Sequence, residues 1–470
     1  MIRTITSAAS IGLIACLMGC GDNPEVLSPP EPSGPGGWTP GHVLPSLQTS
    51  LRGMLDVRGV IHAHSVYSHD ACDGEPRDEE TDGINEPCFD DLRRGLCQSR
   101  HDYLMLTDHP DSFERTEFPD VLLYRSDQDD ELVERGGQTV ANWAACPDDT
   151  PPTLILAGTE GGMEPVGLEG HVADTVEERA EVYGAATSEA VDILQEHGAV
   201  VLLQHTEDWT PNQIIDLGVD GFEMFNLHAN MYLGAGAITS LLMKIETPEQ
   251  LPHPDLILLP IINEDPVYLD IWSTVLARDA HRVTIIATDI HRNTLWRELR
   301  DGERIDSYRR AFIWLSNHLL IRPEADGSWD DRHLKEALSS ARLYGVFEIL
   351  GYPDGFDYHA LQGGDLREMG TELSLAAGVE LTVTMPWVRD LDPDYAQPEL
   401  TIRVLKAEED GWDVVAESDT DLQHTVTEPG AYRAEVRMVP RHLEPFLSTY
   451  ADLAGEDFVW IYSNAIYVTD

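Results

Sequence analysis

The sequence predicts an α/β protein: a closed or nearly closed β/α barrel over residues 51–355, followed by a small β-sandwich over residues 356–470. From Asp56 onward, short apolar runs alternate with helix-length amphipathic segments, which is the pattern of parallel strands connected by helices. Six or more such units suggest a barrel. After about Gly355 the chain changes to segments of partial apolar–polar alternation separated by turns, with one helix expected near residues 442–453.

The first 50 residues are predicted to precede the fold. Arg3 is followed by an apolar stretch at residues 8–17 that is too short to span a bilayer, which is typical of a signal peptide over residues 1–19. The stretch ends in LMGC, which resembles a bacterial lipobox, so Cys20 is expected to carry lipid. An ordinary signal peptide with a chance cysteine is the alternative. Residues 20–50 are rich in Pro, Gly and Ser and are predicted to form a disordered tether.

Six apolar runs are predicted as the barrel strands: VRGVIHAH, DYLMLTDH, TLILAGTE, AVVLLQHT, GFEMFN and RVTIIATDIH. Helix candidates between them are DDLRRGLCQ, TSEAVDILQEHG and TPNQIIDLG. Nearly every run ends in polar residues of the types that bind metals: His62, His64, Asp108, His109, Glu160, His205, Glu223, Asn226, Asp289 and His291. The C-terminal ends of parallel strands share one face of a barrel, so these side chains should converge in one pocket.

Histidine and carboxylate side chains in this pattern predict a site for divalent metal ions. In VIHAHSVYSHD, residues 60–70, the alternation of side chains along a strand directs His62 and His64 to the same side. Imidazole and carboxylate groups suit the ions found at hydrolytic sites. A single HxH pair is weak support, but core packing favours Val and Ile at strand ends, and here His, Asp and Glu recur at successive strands.

The motifs HAHSVYSHD, LMLTDHPD, LAGTEGG, LLQHTE and ATDIHRN, in this order, resemble those of the PHP (polymerase and histidinol phosphatase) family. The resemblance covers about residues 55–355. It implies a distorted barrel of seven strands, a (β/α)7 TIM-like fold, that binds two or three divalent ions (Zn, Mn or Fe). Carried over position by position, it implies the metal ligands His62, His64, His109, Glu160, His205, Asp289 and His291. It less directly implies His171, in EGHVAD, which with Asp289 and His291 is expected to act in catalysis.

The first motif closes with a further ligand, for which both His69 and Asp70 qualify. Asp70 is preferred because it matches the YSxD form of the family motif. The family's HP motif reads HT here, so the backbone after His205 is less rigidly set. Four residues are expected to line the pocket without binding metal: Asp108, Glu223, Asn226 and His228. For Glu223 and Asn226 the alternative is a strand-end cap, and for His171 and His228 it is a solvent-facing position.

The resemblance implies a phosphoesterase in which a metal-bound hydroxide attacks the phosphorus of a small-molecule phosphoester. An amidohydrolase-like metallohydrolase is one alternative, although many of those enzymes bridge two metals with a carboxylated lysine. A catalytically silent lipoprotein, whose sandwich binds a glycan or a partner, is another. Nucleic acid is not an expected partner, because 84 acidic residues against 31 basic ones give a formal net charge of −53.

Export would place the four cysteines that remain after the signal peptide and Cys20 in an oxidising compartment, which favours two disulfides over a zinc site without a CxxC pair. Cys72 and Cys88 flank an acidic loop that leaves the first strand on the ligand-bearing face. Cys97 and Cys146 precede the second and third strands. Parallel strands start on the same face, so we predict Cys72 paired with Cys88 and Cys97 paired with Cys146.

The lipobox predicts an exported cell-envelope lipoprotein, held to the membrane by lipid on Cys20 and sorted by default to the outer membrane. Cys20→Ser should therefore release the protein from membranes, as measured by fractionation after a salt wash. A variant that still sediments with membranes would show that lipid at Cys20 is not the anchor.

Overall fold

The structure is a computed structural model that describes residues 38–46, 50–77, 83–244, 247, 250–278 and 280–470. In these ranges, no helix has the length and apolar character needed to cross a membrane. The α-helices of the described residues are α1 (Glu86–Ser99), α2 (Pro110–Phe113), α3 (Val176–Tyr183), α4 (Ser188–Glu196), α5 (Pro211–Leu217), α6 (Leu227–Leu233), α7 (Ala235–Lys244), α8 (Pro266–Ala277), α9 (Tyr308–Phe312) and α10 (Asp331–Ser339).

The strands fall into two regions along the chain. The first region holds β1 (Ser50–Leu51), β2 (Met54–Ala63), β3 (Tyr103–Met105), β4 (Glu131–Arg135), β5 (Gln138–Ala144), β6 (Thr153–Gly158), β7 (Glu164–Leu168), β8 (Val200–Leu202), β9 (Gly221–Asn226), β10 (Val283–Ile290), β11 (Ser316–Ile321) and β12 (Leu343–Val346). The second holds β13 (Pro353–Asp354), β14 (Asp357–Gln362), β15 (Asp365–Arg367), β16 (Glu372–Ser374), β17 (Glu380–Thr384), β18 (Trp387–Val388), β19 (Glu399–Glu408), β20 (Gly411–Ser418), β21 (Leu422–Thr425), β22 (Gly430–Val439), β23 (Phe458–Ser463) and β24 (Ile466–Thr469).

Local sequence signals explain where several helices begin and end. Thr187 caps α4 by accepting a hydrogen bond from the backbone N–H of Ala190. Helix α5 starts with a capping box between Thr210 and Gln213 and ends at Gly218, whose φ of 76° suits glycine. The helix expected near residues 442–453 is instead two 3₁₀ segments, Arg441–Phe446 and Ser448–Gly455. Pro445 lies inside the first segment and cannot donate a backbone hydrogen bond.

Six strands of the first region run in the same direction. β2 pairs in parallel with β3 and β10, β3 with β6, and β9 with β10. Backbone hydrogen bonds from Leu203 N to Gly221 O (3.0 Å) and from Glu223 N to Leu203 O (3.1 Å) join the end of β8 to β9. β7 connects β6 to β8 and is antiparallel to both. These contacts form a ring in which the C-terminal ends of the six parallel strands share one face.

The mixed α/β architecture and the β-rich C-terminal region are confirmed, but a regular TIM-like barrel is not. Strand β7 runs against its neighbours, and no helix separates it from β6. An antiparallel hairpin, β4–β5, is inserted before β6. β2 pairs with β10 only through its C-terminal half, because antiparallel β11 occupies its N-terminal half. The side chain of Asn317 on β11 bonds the backbone N and O of Ile286 on β10 and spans this gap.

The C-terminal region contains two packed sheets. One is the antiparallel sheet β15-β14-β17-β21. The other contains β20, β19, β22, β23 and β24, and it continues into the first region because β23 pairs with β12. Buried Tyr358 of the first sheet donates a hydrogen bond to Tyr432 O of the second (2.8 Å). The division into domains at residue 355 remains a prediction, since one sheet crosses it.

The predicted tether is wrong for residues 38–46, which pack on the fold. The side chains of Trp38 and Leu44 are buried, and Trp38 makes edge-to-face contacts with His442 and Phe446. Trp38 and Leu44 bring apolar surface into a stretch whose Pro and Gly content alone favours disorder. The signal peptide, Cys20 and the rest of the tether before Trp38 lie outside the described residues.

Both disulfides have the predicted pairing. Cys72 is bonded to Cys88 with their Cα atoms 5.9 Å apart, and Cys97 to Cys146 with their Cα atoms 5.5 Å apart. Cys88 and Cys97 both belong to α1, so the two bonds tie this helix to the turn after β2 and to the segment before β6.

A buried ion pair fixes β2, the strand that carries His62 and His64, to the core. Arg58 Nε donates to Glu348 Oε1 (2.8 Å), and both side chains are buried. The same carboxylate oxygen accepts a hydrogen bond from Ser316 Oγ (2.6 Å) on β11. The guanidinium group also donates to the carbonyl oxygens of Leu44 and Ser99. A single buried pair therefore links β2, β11 and the packed N-terminal segment.

We predict that Glu348→Gln lowers the free energy of unfolding by about 3–5 kcal/mol, because it leaves the Arg58 charge buried without a counter-charge. The matched control is Glu417→Gln in the exposed pair with Arg403 (2.7 Å), for which we expect less than about 1 kcal/mol. Urea unfolding of both variants measures the difference. Equal losses in the two variants would contradict the role given to the buried pair.

Candidate metal centre

The ends of the six parallel strands bring the predicted ligands together. His62 and Asp289 are the penultimate residues of β2 and β10, and His205 follows β8. These three residues have left-handed backbone conformations, with φ values of 69°, 48° and 51°. Such values are unfavourable for residues other than glycine and occur at sites where the surroundings enforce them. The backbone therefore turns at the points where these side chains enter the site.

The first group of ligand atoms comes from His62, His64, Glu160 and Asp289, all buried. The Nε2 atoms of His62 and His64 are 3.2 Å apart. They lie 3.6 and 3.2 Å from Glu160 Oε2 and 3.3 and 3.4 Å from Asp289 Oδ1. His205 joins at the edge, with its Nε2 3.0 Å from Glu160 Oε1. Two imidazoles and two carboxylates thus face a common point.

The second group consists of His64, His109, Glu160 and His291. The Nε2 atoms of His109 and His291 are 3.3 Å apart, and His109 Nδ1 is 3.5 Å from Glu160 Oε2. Asp70 closes this side, with its carboxylate oxygens 3.5 Å from each of these two Nε2 atoms. Glu160 and His64 are shared with the first group, and Glu160 lies between the pairs His62–His64 and His109–His291.

A third group is formed by His228, Asp289 and His291. His228 Nδ1 is 3.1 Å from Asp289 Oδ2, and Asn226 Nδ2 donates to the same oxygen at 3.4 Å. The sequence predicts His228 only as a pocket residue. The structure gives it a ring nitrogen within the ligand cluster.

Hydrogen-bond acceptors behind the cluster orient the imidazole rings. Glu223 Oε1 accepts from His62 Nδ1 (2.5 Å), and Ser68 Oγ accepts from His64 Nδ1 (2.8 Å). Asp108 accepts hydrogen bonds from the side chains of Ser65 and Ser68, so it supports this layer and does not face the cluster. An imidazole that donates from Nδ1 presents the lone pair of Nε2. The two facing Nε2 atoms are therefore oriented as ligands.

The arrangement fits a cation. The lone pairs of His62 and His64 point at each other across 3.2 Å, which is repulsive unless a proton or a metal ion lies between them. Asp289 Oδ1 is buried and makes no hydrogen bond, and it faces Nε2 of His62 and His64 at 3.3 and 3.4 Å. A buried, unpartnered carboxylate is costly, and a bound cation removes that cost.

The pKa shifts of the clustered residues also fit a cation at this position. Burial would raise the pKa of Glu160 and Asp289, but neighbouring histidines, His62 first, hold it well below its usual range. Burial lowers the pKa of His205, but the hydrogen bond to Glu160 and other carboxylates raise it to about 12. Burial likewise lowers the pKa of His109, but Asp70 and Glu160 raise it to about 9. Protons therefore balance the carboxylates, and a metal ion must displace them as it binds.

His171 does not belong to the centre, and its predicted roles in metal binding and catalysis are wrong. Its Nε2 bonds the carbonyl oxygen of Thr116 (2.9 Å), and its Nδ1 bonds the hydroxyl of Tyr183 (3.0 Å). The ring packs edge-on against Phe113 and Phe118. Because both ring nitrogens make hydrogen bonds, His171 stabilises the packing of the segment that follows β7.

Between the two candidates for the last ligand of the first motif, the geometry favours Asp70. His69 is 57% exposed and pairs with exposed Asp111 at 3.0 Å. Asp70 instead points both carboxylate oxygens at His109 and His291.

Sequence reasoning missed several residues near the ligands. Glu164, on antiparallel β7, is buried 3.5 Å from His62 Nδ1. Glu207 lies 3.4 Å from His205 Nδ1. Ser68 holds His64 and also accepts from His109 N (2.9 Å). The sequence does offer a signal for Glu207, because this residue follows the strand-end His205 by two positions. Nothing in the pattern identifies Glu164, because the direction of β7 is not encoded in its periodicity.

No family model matches the chain, and no curated protein matches it. Among solved structures, one similar chain is a two-domain protein from Bacteroides vulgatus that contains a predicted PHP-like metal-dependent phosphoesterase. The two chains are 12% identical, with a TM-score of 0.32, and the match covers 89% of this chain and 98% of that chain. At this identity and TM-score, the similarity does not establish a shared fold or activity.

We predict that His62→Ala combined with His64→Ala abolishes binding of at least one divalent ion, since both imidazoles contribute to the first group. The control is His171→Ala, which removes a partly buried imidazole of the same size outside the centre. Elemental analysis of the purified variants, with folding checked by circular dichroism, measures the metal content. A double variant that keeps the metal content of the unaltered protein would show that this is not the binding site.

Proposed function

We propose that this chain is a metal-dependent phosphoesterase of the PHP type. The observation that carries the proposal is the position of Glu160. Its Oε2 lies within 3.2–3.6 Å of ring nitrogens of His62, His64 and His109, and its Oε1 lies 3.0 Å from His205. A carboxylate placed between two sets of imidazoles suits two divalent ions that share one bridging ligand. The order of the PHP-like motifs along the chain supports the same assignment.

Divalent ions at such a centre would lower the pKa of a coordinated water and neutralise charge on the phosphoryl oxygens. The protein side chains would hold the groups in place. Glu223 and Ser68 fix the rings of His62 and His64, while Asp289 connects the first group to the third. In this proposal, His228, 28% exposed at the edge of the cluster, would give a proton to the leaving oxygen when the ester P–O bond breaks.

The amidohydrolase alternative is less well supported by the positions of the lysines. Lys335 pairs with Glu169 (2.6 Å) and Lys406 with Glu428 (3.1 Å), both on other surfaces. Lys244 ends α7, and its side chain is not described. Glu160, and not a lysine, lies among the imidazoles of His62, His64 and His109 and would supply the carboxylate shared by the ions. The alternative of a silent binding lipoprotein remains an outcome of the activity test.

Envelope anchoring and export are also proposals. They rest on residues 17–20, LMGC, outside the described part of the chain, and on the disulfides, which suit an oxidising compartment. The high acidic content supports a small-molecule phosphoester over nucleic acid as the substrate.

We predict hydrolysis of at least one member of a phosphoester panel (nucleotides, sugar phosphates, inositol phosphates and an aryl phosphate) by protein loaded with Zn²⁺ or Mn²⁺. Asp289→Asn should lower kcat at least about 100-fold, because it removes charge from a shared ligand. His171→Ala is the control and should retain activity. Full activity in Asp289→Asn would exclude this centre as the active site. Metal-loaded protein that hydrolyses no member of the panel would favour the binding lipoprotein.

A further inference from the structure

The ring of His205 is held from behind by residues of two different elements. His205 Nε2 points at Glu160, and its Nδ1 lies 3.4 Å from Glu207 Oε1 in the 3₁₀ turn Thr206–Asp208. The other carboxylate oxygen of Glu207 accepts a hydrogen bond from the hydroxyl of Tyr268. Tyr268 is buried and belongs to α8. A chain of polar contacts thus runs from helix α8 to the imidazole.

His205 needs such support more than the other ligands do. Its side chain is 30% exposed, whereas those of His62 and His64 are fully buried and packed. The residue after His205 is Thr206 and not proline, so no pyrrolidine ring restricts the backbone at that position. The backbone N–H of His205 donates to Glu223 (2.8 Å), which fixes the main chain but not the ring. Glu207 therefore takes for His205 the place that Glu223 takes for His62.

Helix α8 is held along its length by the C-terminal sheets. The indole N–H of Trp412 on β20 donates to the carbonyl oxygen of Leu269 (3.0 Å). The guanidinium group of buried Arg433 stacks 4.5 Å over Trp272. Further contacts occur at both ends of the helix: Tyr462 Oη to Glu264 (2.8 Å), Arg437 to Glu264 (3.0 Å) and Thr274 Oγ1 to Glu409 O (2.9 Å). The position of Tyr268 is thereby coupled to the sheets.

We propose that Glu207 and Tyr268 are positioning residues that aim His205 at the metal centre, and that the C-terminal sheets hold them in place through α8. This gives the β-rich region a role in the metal centre itself. Carboxylates behind metal-bound histidines fix the ring and strengthen its donor nitrogen, and their loss typically weakens metal affinity about 10–100-fold. The inference rests on the metal-binding part of the proposed function and not on the identity of the substrate.

The test measures Co²⁺ binding to the full chain, because the visible absorption of bound Co²⁺ reports its ligands and their geometry. Glu207→Gln should weaken Co²⁺ binding about 10-fold or more and shift its spectrum. Tyr268→Phe, which removes one hydroxyl, should cause a smaller change in the same direction. The matched control is Tyr183→Phe, which removes a buried hydroxyl bonded to His171. It should leave affinity and spectrum unchanged.

Trp412→Phe tests the contribution of the sheets, since it keeps an aromatic ring and removes the bond to Leu269 O. A spectral shift in the same direction as that of Tyr268→Phe supports the coupling, and an unchanged spectrum overturns it. If Tyr268→Phe and Tyr183→Phe change the Co²⁺ affinity and spectrum equally, Tyr268 contributes only to the stability of the fold and does not position His205. If Tyr268→Phe does not fold, Glu207→Gln, on the surface turn, is the deciding variant. An unchanged Co²⁺ affinity of Glu207→Gln would then overturn the proposal. Because no phosphoester is used, these outcomes are independent of failure of the activity test.

Discussion

The concentration of negative charge at one end of the strand ring is the constraint on which the site depends. Glu160, Asp289 and Glu223 are buried within a few ångströms of one another, and two pairs of imidazole nitrogens face each other at 3.2 and 3.3 Å. Buried carboxylates without partners are unfavourable, so the fold requires positive charge there. Protons on the histidines supply it in part. Divalent ions would also supply it, and the His, Asp and Glu groups present could hold them.

The rest of the molecule holds that arrangement in place. Six parallel strands deliver ligands to one face, and left-handed backbone at His62, His205 and Asp289 turns the side chains inward. Behind the ligands, hydrogen-bond acceptors hold the imidazole rings of His62, His64 and His205. They keep these rings in place although the facing ring nitrogens repel one another. The Arg58–Glu348 pair anchors β2, and α8 connects the site to the C-terminal sheets. Elements remote from the centre therefore bear on its geometry.

The sequence predicts those parts of the structure that follow from local pattern. The runs at β2, β3, β6, β8, β9 and β10 are apolar and end in ligand-type residues, so both strands and site residues could be identified. The direction of β7 and the insertion of β11 beside β2 could not, because strand order depends on long-range pairing. His171 was misassigned since a motif does not show that Thr116 and Tyr183 occupy its ring nitrogens. The buried Trp38 was missed inside a stretch whose overall composition favours disorder.

In the proposed metal centre, Glu160 would lie between two divalent ions. Anomalous diffraction from crystals of the Zn²⁺-loaded protein, collected on both sides of the zinc absorption edge, tests it most directly. We expect two peaks, one between Glu160 and the His62–His64 pair and one between Glu160 and the His109–His291 pair, about 3.5–4 Å apart. No peak within ligand distance of Glu160, with zinc bound elsewhere or absent, would contradict this interpretation of the site.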